Sequence, residues 1–87
     1  MTNNAKELLS KYIQNTEQVF AEIKISQDAV YIGREKIREI IDMAKRYLED
    51  ARYYRDRKKF ETGLASVAYC EGLLDALRLL GGVNFSW

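Results

Sequence analysis

Apolar residues recur at intervals of three and four along three stretches of this chain, and most of the positions between them are charged or polar. This spacing is typical of amphipathic α-helices, each of which buries one face. The pattern predicts a first helix over about residues 4–24, a second that reaches about residue 56 and a third over about residues 60–80. The core residues expected from the three faces are Leu9, Val19, Ile37, Ile41, Ala44, Leu48, Leu64, Val67 and Leu74.

The ends of the helices are marked by local signals. A polar residue within positions 2–4 is expected to cap the first helix, and Gly81–Gly82 is expected to end the third. The start of the second helix stays open, because a turn is expected near residues 26–28 and the helix begins either before or after Gly33. Short connections make the three helices antiparallel neighbours, so we expect one all-α, three-helix up-and-down bundle over residues 1–87.

The third helix differs from the other two, because apolar side chains surround almost its whole circumference. A helix of this kind requires neighbours on more than one side, so we expect a homodimer, with another protein as the alternative partner. The apolar tail 83–87 either folds back over the open end of the bundle or contacts a second subunit, and we favour the contact. One side of the helix carries a stripe of small residues, which are Ala65, Ala68, Gly72 and Ala76.

The C-terminal half contains two recognisable runs. Helix two has the pattern Ala44-x-x-Tyr47-Leu48-x-Asp50-Ala51, and helix three has Ala68-Tyr69-x-x-Gly72-Leu73-Leu74-Asp75-Ala76-x-Arg78, followed by Leu80-Gly81. These runs resemble a small archaeal family catalogued only as domain of unknown function 357. The resemblance implies a three-helix up-and-down bundle and a cytoplasmic location, and it brings no catalytic residues with it.

Composition removes most catalytic chemistry. The chain has no histidine and a single cysteine, Cys70, so nucleophile pairs that need histidine, internal disulfides and cysteine-cluster zinc sites are excluded. The sequence also lacks a glycine-rich phosphate loop. We therefore expect no enzymatic activity, no cofactor and no metal, and we expect Cys70 to be an inert core residue.

Charge and hydropathy add little about partners. The net charge of +1 favours neither a strongly acidic nor a strongly basic partner. No apolar window of about 20 residues could span a membrane, and the N-terminal residues do not have the basic and apolar regions of a signal peptide. A cytoplasmic location without membrane contact is the expectation.

The first candidate site is a charged group on the third helix. Glu71, Asp75 and Arg78 fall on one side of that helix, between a seam of large residues and the small-residue stripe. Charges set in an apolar surface are costly unless they are paired. We favour an ion-pair network that joins Asp75 to Arg78 and receives Arg52 or Arg55 from helix two. A recognition or catalytic patch is one alternative, and a weak divalent-cation site is another.

Two further candidates lie on helix flanks. Asp50 is spaced to accept a hydrogen bond from the hydroxyl of Tyr47 or Tyr54, with a small-ligand pocket between helices two and three as the alternative. A glycine at position 72, inside a helix, costs about 0.5–1 kcal/mol relative to alanine. The expected reason for Gly72 is a close helix–helix approach, and room for a ligand is the alternative.

The last candidate is the basic turn, defined as residues 52–59, between helices two and three. Cations beside aromatic rings suit single-stranded nucleic acid, but cations near a helix C-terminus also complement its partial negative charge. We favour the second interpretation. The candidate nucleic-acid contacts are Arg55, Arg57, Lys58 and Lys59, beside Tyr53 and Tyr54.

Together these features favour a non-catalytic helical interaction or scaffold module that self-associates. An accessory domain that binds single-stranded nucleic acid through the basic turn is the alternative. The candidate interaction residues are Glu71, Gly72, Asp75, Arg78, Asp50 and Tyr54.

Overall fold

Three α-helices make up most of the chain in the computed structural model, which describes residues 4–26 and 33–87. Helix α1 spans Ala5–Glu22, α2 spans Arg34–Asp56 and α3 spans Phe60–Leu79. Two short strands, β1 (Lys24–Ile25) and β2 (Val83–Asn84), form one antiparallel pair. The predicted all-α, three-helix bundle is confirmed, with helix bounds close to those expected.

The helix ends follow from local sequence. Asn4 caps α1, because its side-chain oxygen accepts a hydrogen bond of 2.9 Å from the backbone amide of Glu7. Gly33 has extended backbone and directly precedes α2, so this helix begins after Gly33. The turn predicted near residues 26–28 lies mostly outside the described residues. The turn between α2 and α3 is tight, as predicted, and Lys58 in it has a left-handed φ of 63°.

The core lies between the three helices. Helices α2 and α3 form the most extensive pair, and α1 packs on both, more on α3. Each predicted core residue is buried except Leu64, which is partly buried against the same core. Cys70 is fully buried, as expected. Burying a large aliphatic side chain contributes about 1.5–3 kcal/mol to the stability of the folded state. The core therefore determines which side of α3 faces inward.

Gly63 provides the close approach between helices. A Cβ atom built on Gly63 would lie 2.5 Å from Cδ2 of Leu9 and 3.3 Å from the carbonyl oxygen of Ala51. Leu9 belongs to α1 and Ala51 to α2, so α3 comes close to both other helices at Gly63. The sequence contained no signal that distinguished this glycine from the others in the chain.

The tail folds back onto its own bundle, which is the alternative to the favoured contact with a second subunit. Val83 pairs with Ile25 and is buried, and the amide of Ser26 donates a hydrogen bond of 2.9 Å to the carbonyl of Gly82. Phe85 packs against the core, whereas Trp87 is half exposed and does not seal the bundle end. The sequence analysis did not predict this strand pair, because two residues are too few for a periodicity to be recognised.

Candidate functional site: the outer face of the third helix

Helix α3 presents an apolar surface to solvent on the side opposite the core. Its buried residues are Gly63, Val67, Cys70, Leu74 and Leu77. On the opposite side, an arc of about 140° carries no charged side chain over four helical turns. We call this surface the outer face, and it consists of Ala65, Ala68, Tyr69, Gly72, Leu73, Ala76, Leu79 and Leu80. All of these residues are exposed except Leu73, which is partly buried.

The outer face contains an open depression of about 480 Å³. Ala65, Ala68 and Gly72 line it together with the larger Tyr69 and Leu73. The prediction that Gly72 permits a close approach between helices of the bundle is wrong, because no atom of another helix lies within 4 Å of a Cβ built there. This part of α3 faces solvent, so the missing side chain leaves the depression open instead.

An aromatic pair joins the outer face to α2. The rings of Tyr47 and Tyr69 are stacked, with centroids 5.1 Å apart and planes inclined by 15°. Met43, which is exposed, lies beside Tyr47 in a second depression lined also by Asp50. The predicted hydrogen bond to Asp50 is not formed. Among the described residues, neither the hydroxyl of Tyr47 nor that of Tyr54 donates to the Asp50 carboxylate. The stacked tyrosines therefore connect the outer face to the flank of α2, where the charged Arg46, Glu49 and Asp50 line the second depression together with Met43 and Tyr47.

A charged cluster forms one edge of the outer face. Nη2 of Arg78 donates a hydrogen bond of 2.9 Å to Oδ1 of Asp75, so the expected pair is present. The same oxygen accepts a hydrogen bond of 2.8 Å from the indole Nε1 of Trp87, and these two donors lower the pKa of Asp75. Glu71 is partly buried, and its pKa is raised by burial and by the charge of Asp75.

The arginines expected from helix two do not reach this cluster. Arg52 instead donates to Glu17 at 2.6 Å and also pairs with Glu49, so it ties α2 to α1. These two carboxylates raise the pKa of Arg52. Arg55 pairs with its neighbour Asp56 at 3.2 Å. Arg52 therefore finds a partner on α1 and Arg55 finds one on α2 itself, so neither arginine pairs with a carboxylate of α3.

The basic turn lies at one end of the bundle, between α2 and α3. Arg57, Lys58 and Lys59 are exposed. The guanidinium of Arg57 covers the ring of Tyr53 at 4.4 Å, and Tyr54 contacts Tyr53 edge-on. One face of Tyr53 is therefore occupied by a cation of the same chain, and a stacking base would have to displace that cation.

The buried Cys70 and the placement of the acidic side chains limit the chemistry of the described residues. Burial raises the pKa of the Cys70 thiol to about 12, so this cysteine is not a nucleophile at neutral pH. Among residues 4–26 and 33–87, no group of three or more cysteine, aspartate or glutamate side chains could hold a metal ion. Within the same ranges, no helix combines the length and apolar character that crossing a bilayer requires.

The fold and this site define an all-α, three-helix bundle protein with one exposed apolar helix face. The chain belongs to the family described as "Protein of unknown function (DUF357)", whose sequence model matches residues 11–83. The match includes most of α1, and so it extends well beyond the C-terminal runs that carried the resemblance. No curated protein and no solved structure matches the chain.

Proposed function

We propose that this protein is a non-catalytic helical interaction module, located in the cytoplasm, that self-associates through the outer face of α3. The observation that carries the proposal is the continuous exposed apolar surface from Ala65 to Leu80. A cytoplasmic location is supported by the single cysteine, a free and buried thiol.

The exposure of the large side chains on this face is high for a small bundle. Leu79 is 77% exposed, Tyr69 is 64% exposed and Leu80 is 55% exposed. Isolated exposed apolar residues are ordinary, but contiguous ones at helical spacing mark interaction surfaces. Each square ångström of this apolar surface that is removed from water contributes about 25 cal/mol to the free energy of association. A complex in which a partner covers the face is therefore favoured.

Sedimentation equilibrium over about 10 µM to about 1 mM tests the proposal, because a small apolar interface corresponds to a weak complex. The wild-type protein should move from monomer mass towards dimer mass across this range. Ala68→Arg should remain monomeric, since its long charged side chain would fill the depression where the partner packs.

The matched control is Ala21→Arg, which makes the same change at an exposed position of α1. Because both alanines face solvent in a helix, neither variant should disturb the fold. Ala21→Arg should associate as the wild type does. A wild-type protein that keeps monomer mass at about 1 mM, or an Ala68→Arg variant that dimerises normally, would contradict the proposal.

A second candidate function rests on the basic turn. Its exposed cations stand together at one end of the bundle, with the half-exposed ring of Tyr53 beside them. Exposed cations near an aromatic ring are the features that single-stranded nucleic acid requires. Its test is a salt titration, which is developed as a prediction below.

A further inference from the structure

Building on the self-association proposed above, we infer that two copies of this chain pack their α3 helices against each other in an antiparallel register centred between Gly72 and Leu73. The partner of the outer face is thus a second copy of the same face. In a two-fold dimer of this kind, each residue lies opposite a residue at the mirrored position of the partner helix.

Six of the eight residues of the outer face pair a small side chain with a large one in this register. When Gly72 lies opposite Leu73 of the second copy, Tyr69 lies opposite Ala76, and Ala65 lies opposite Leu80. Each of these pairs joins a small residue to a large one. Helix pairs that interdigitate large side chains with small ones reach the close packing of protein interiors. The depression over Gly72 becomes the hole that Leu73 of the second copy fills.

A parallel arrangement lacks this complementarity. In parallel register each residue meets its own copy near the two-fold axis, so Gly72 would face Gly72 and Leu80 would face Leu80. Small residues opposite small ones leave gaps, and large residues opposite large ones hold the helices apart. Size therefore selects the antiparallel orientation.

The charges at the two ends of α3 select the same orientation. Residues 55–61, at its N-terminal end, carry four cations against two carboxylates. Residues 71–80, in its C-terminal half, carry two carboxylates against one cation, and the helix C-terminus adds a partial negative charge. Parallel packing brings the two basic ends together, whereas antiparallel packing separates them and places each beyond the C-terminal end of the other α3, which carries a partial negative charge.

The size of the face sets the expected strength of the complex. From Ala65 to Leu80 it measures about 22 Å along the helix, and one helix is about 10 Å wide. Stable complexes bury about 800 Å² on each partner. A single helix face is smaller than this, so we expect a weak, reversible dimer, not an obligate one.

Site-directed disulfide formation tests the register. Ala65→Cys and Leu80→Cys place thiols at exposed positions, and one of the two proteins carries a ¹⁵N label so that mixed dimers are recognised by mass. In the antiparallel register, the two copies of residue 65 are about 22 Å apart, which is too far for a disulfide. Ala65→Cys alone should not cross-link, and an equimolar mixture with Leu80→Cys should give the mixed disulfide.

The wild-type protein serves as the control for the native cysteine. Cys70 is buried and its thiol has a raised pKa, so the wild type should not cross-link. Gly72→Cys is the positive counterpart, because the two copies of residue 72 lie next to the two-fold axis and should form a symmetric disulfide, which traps the dimer although the added side chain weakens it. No atom lies within 4 Å of a Cβ at that position, so the variant should fold.

The outcomes separate the register from the self-association itself. Monomer mass for the wild type throughout the sedimentation series would overturn the proposed function and, with it, the register. Dimer mass together with cross-linking of Ala65→Cys alone, and no mixed disulfide, would show parallel pairing and overturn only the register. Dimer mass with no cross-linking of any variant would place the contact elsewhere on the protein and overturn the inference.

Discussion

The indole Nε1 of Trp87 donates a hydrogen bond of 2.8 Å to Oδ1 of Asp75, which ties the last residue of the tail to α3. Arg78 donates to the same oxygen, and Phe85 lies edge-on to Trp87 with ring centroids 5.1 Å apart. Both donors favour the ionised carboxylate and lower the pKa of Asp75. Their stabilising effect is therefore present above the ordinary aspartate pKa and is lost as the pH falls through the lower, folded value.

We expect Asp75→Ala to weaken the attachment of the tail, because it removes the acceptor that Trp87 and Arg78 share. The Asp75 carboxylate is partly exposed to solvent, so the loss in the free energy of unfolding should be less than about 1 kcal/mol. Urea unfolding measures the loss. Trp87 is the only tryptophan, and its fluorescence should shift to longer wavelength in the same variant.

A double-mutant cycle with Trp87→Phe tests whether the two side chains act together. Phenylalanine keeps a ring beside Phe85 but cannot donate the hydrogen bond, so the double variant should lose less than the sum of the two single losses. Asp42→Ala is the control for the fluorescence shift of Asp75→Ala. It removes an exposed carboxylate from α2 and should leave the fluorescence of Trp87 unchanged. Strictly additive losses in the cycle would show that the Trp87–Asp75 contact contributes nothing to stability.

Two glycines of α3 should respond in opposite ways to the same substitution. Gly72→Ala should raise the free energy of unfolding by about 0.5–1 kcal/mol, because alanine favours the helix and the added methyl group meets no atom. Gly63→Ala should lower it by about 1 kcal/mol, because its methyl group would enter the space of Leu9 in a packed core.

Urea unfolding of both variants at low protein concentration measures these effects on the monomer. Each variant is the control for the other, since both make the same chemical change inside α3. At high concentration, Gly72→Ala should also weaken the dimer, because its methyl group partly fills the depression on the outer face. A stabilised Gly63→Ala variant would show that the core around Leu9 adapts without cost.

The contrast between these glycines shows which parts of the structure the sequence could predict. Spacing alone placed all three helices and nearly all of the core, because burial of one helix face imposes a regular pattern. Spacing could not tell Gly63 from Gly72, since both interrupt apolar stretches of the same helix. Only the packing of α1 against α3 decides which glycine meets Leu9 and which faces solvent.

The parts of the site that the sequence analysis missed depend on the path of the tail. The cluster of Asp75 and Arg78 was predicted from their spacing on one helix, and that pair is present. The contribution of Trp87 could not be predicted, because it requires β2 to pair with β1 and return the chain to α3. The arginines of α2 were expected to pair with carboxylates of α3, but Arg52 pairs with Glu17 of α1. Which of these carboxylates lies within reach depends on how the three helices pack, and spacing along one helix does not show it.

If the basic turn binds single-stranded nucleic acid, its affinity should depend steeply on salt. Each phosphate neutralised on a single strand contributes a slope of about −0.7 in the plot of log affinity against log salt concentration. Fluorescence anisotropy with a labelled oligonucleotide of mixed sequence measures this slope. Replacing residues 57–59 together by alanine should abolish binding, since their exposed cations would no longer meet phosphates.

The control for this experiment is a variant with the same loss of charge elsewhere. Lys6, Lys11 and Arg38 are exposed cations outside the basic turn, and replacing them by alanine should leave binding nearly unchanged. Equal losses in the two triple variants would indicate a general effect of charge, and the absence of any anisotropy change at low salt would remove the nucleic-acid function.

Glu71 should destabilise the folded protein at neutral pH. Burial raises the pKa of its carboxyl, and the nearby charge of Asp75 raises it further. A group whose folded-state pKa lies above its unfolded value stabilises the fold most when it is protonated, so this part of the stability falls as the pH rises through the folded value. We expect Glu71→Gln to raise the free energy of unfolding at pH 7 by less than about 1 kcal/mol, because partial exposure to solvent screens the charge.

Urea unfolding of Glu71→Gln and wild type between about pH 7 and about pH 4 measures this effect, since an ordinary glutamate titrates near the lower limit. The advantage of the variant should shrink towards the acidic end, where the wild-type carboxyl becomes protonated and resembles the amide. Glu61→Gln is the matched control in the first turn of the same helix. The charge of Glu61 is favourable there, so that variant should not be stabilised. A Glu71→Gln variant that is less stable than the wild type at pH 7 would show that the carboxylate has a stabilising partner. A gain in stability that stays the same down to about pH 4 would show that the gain does not come from removing the ionised carboxylate.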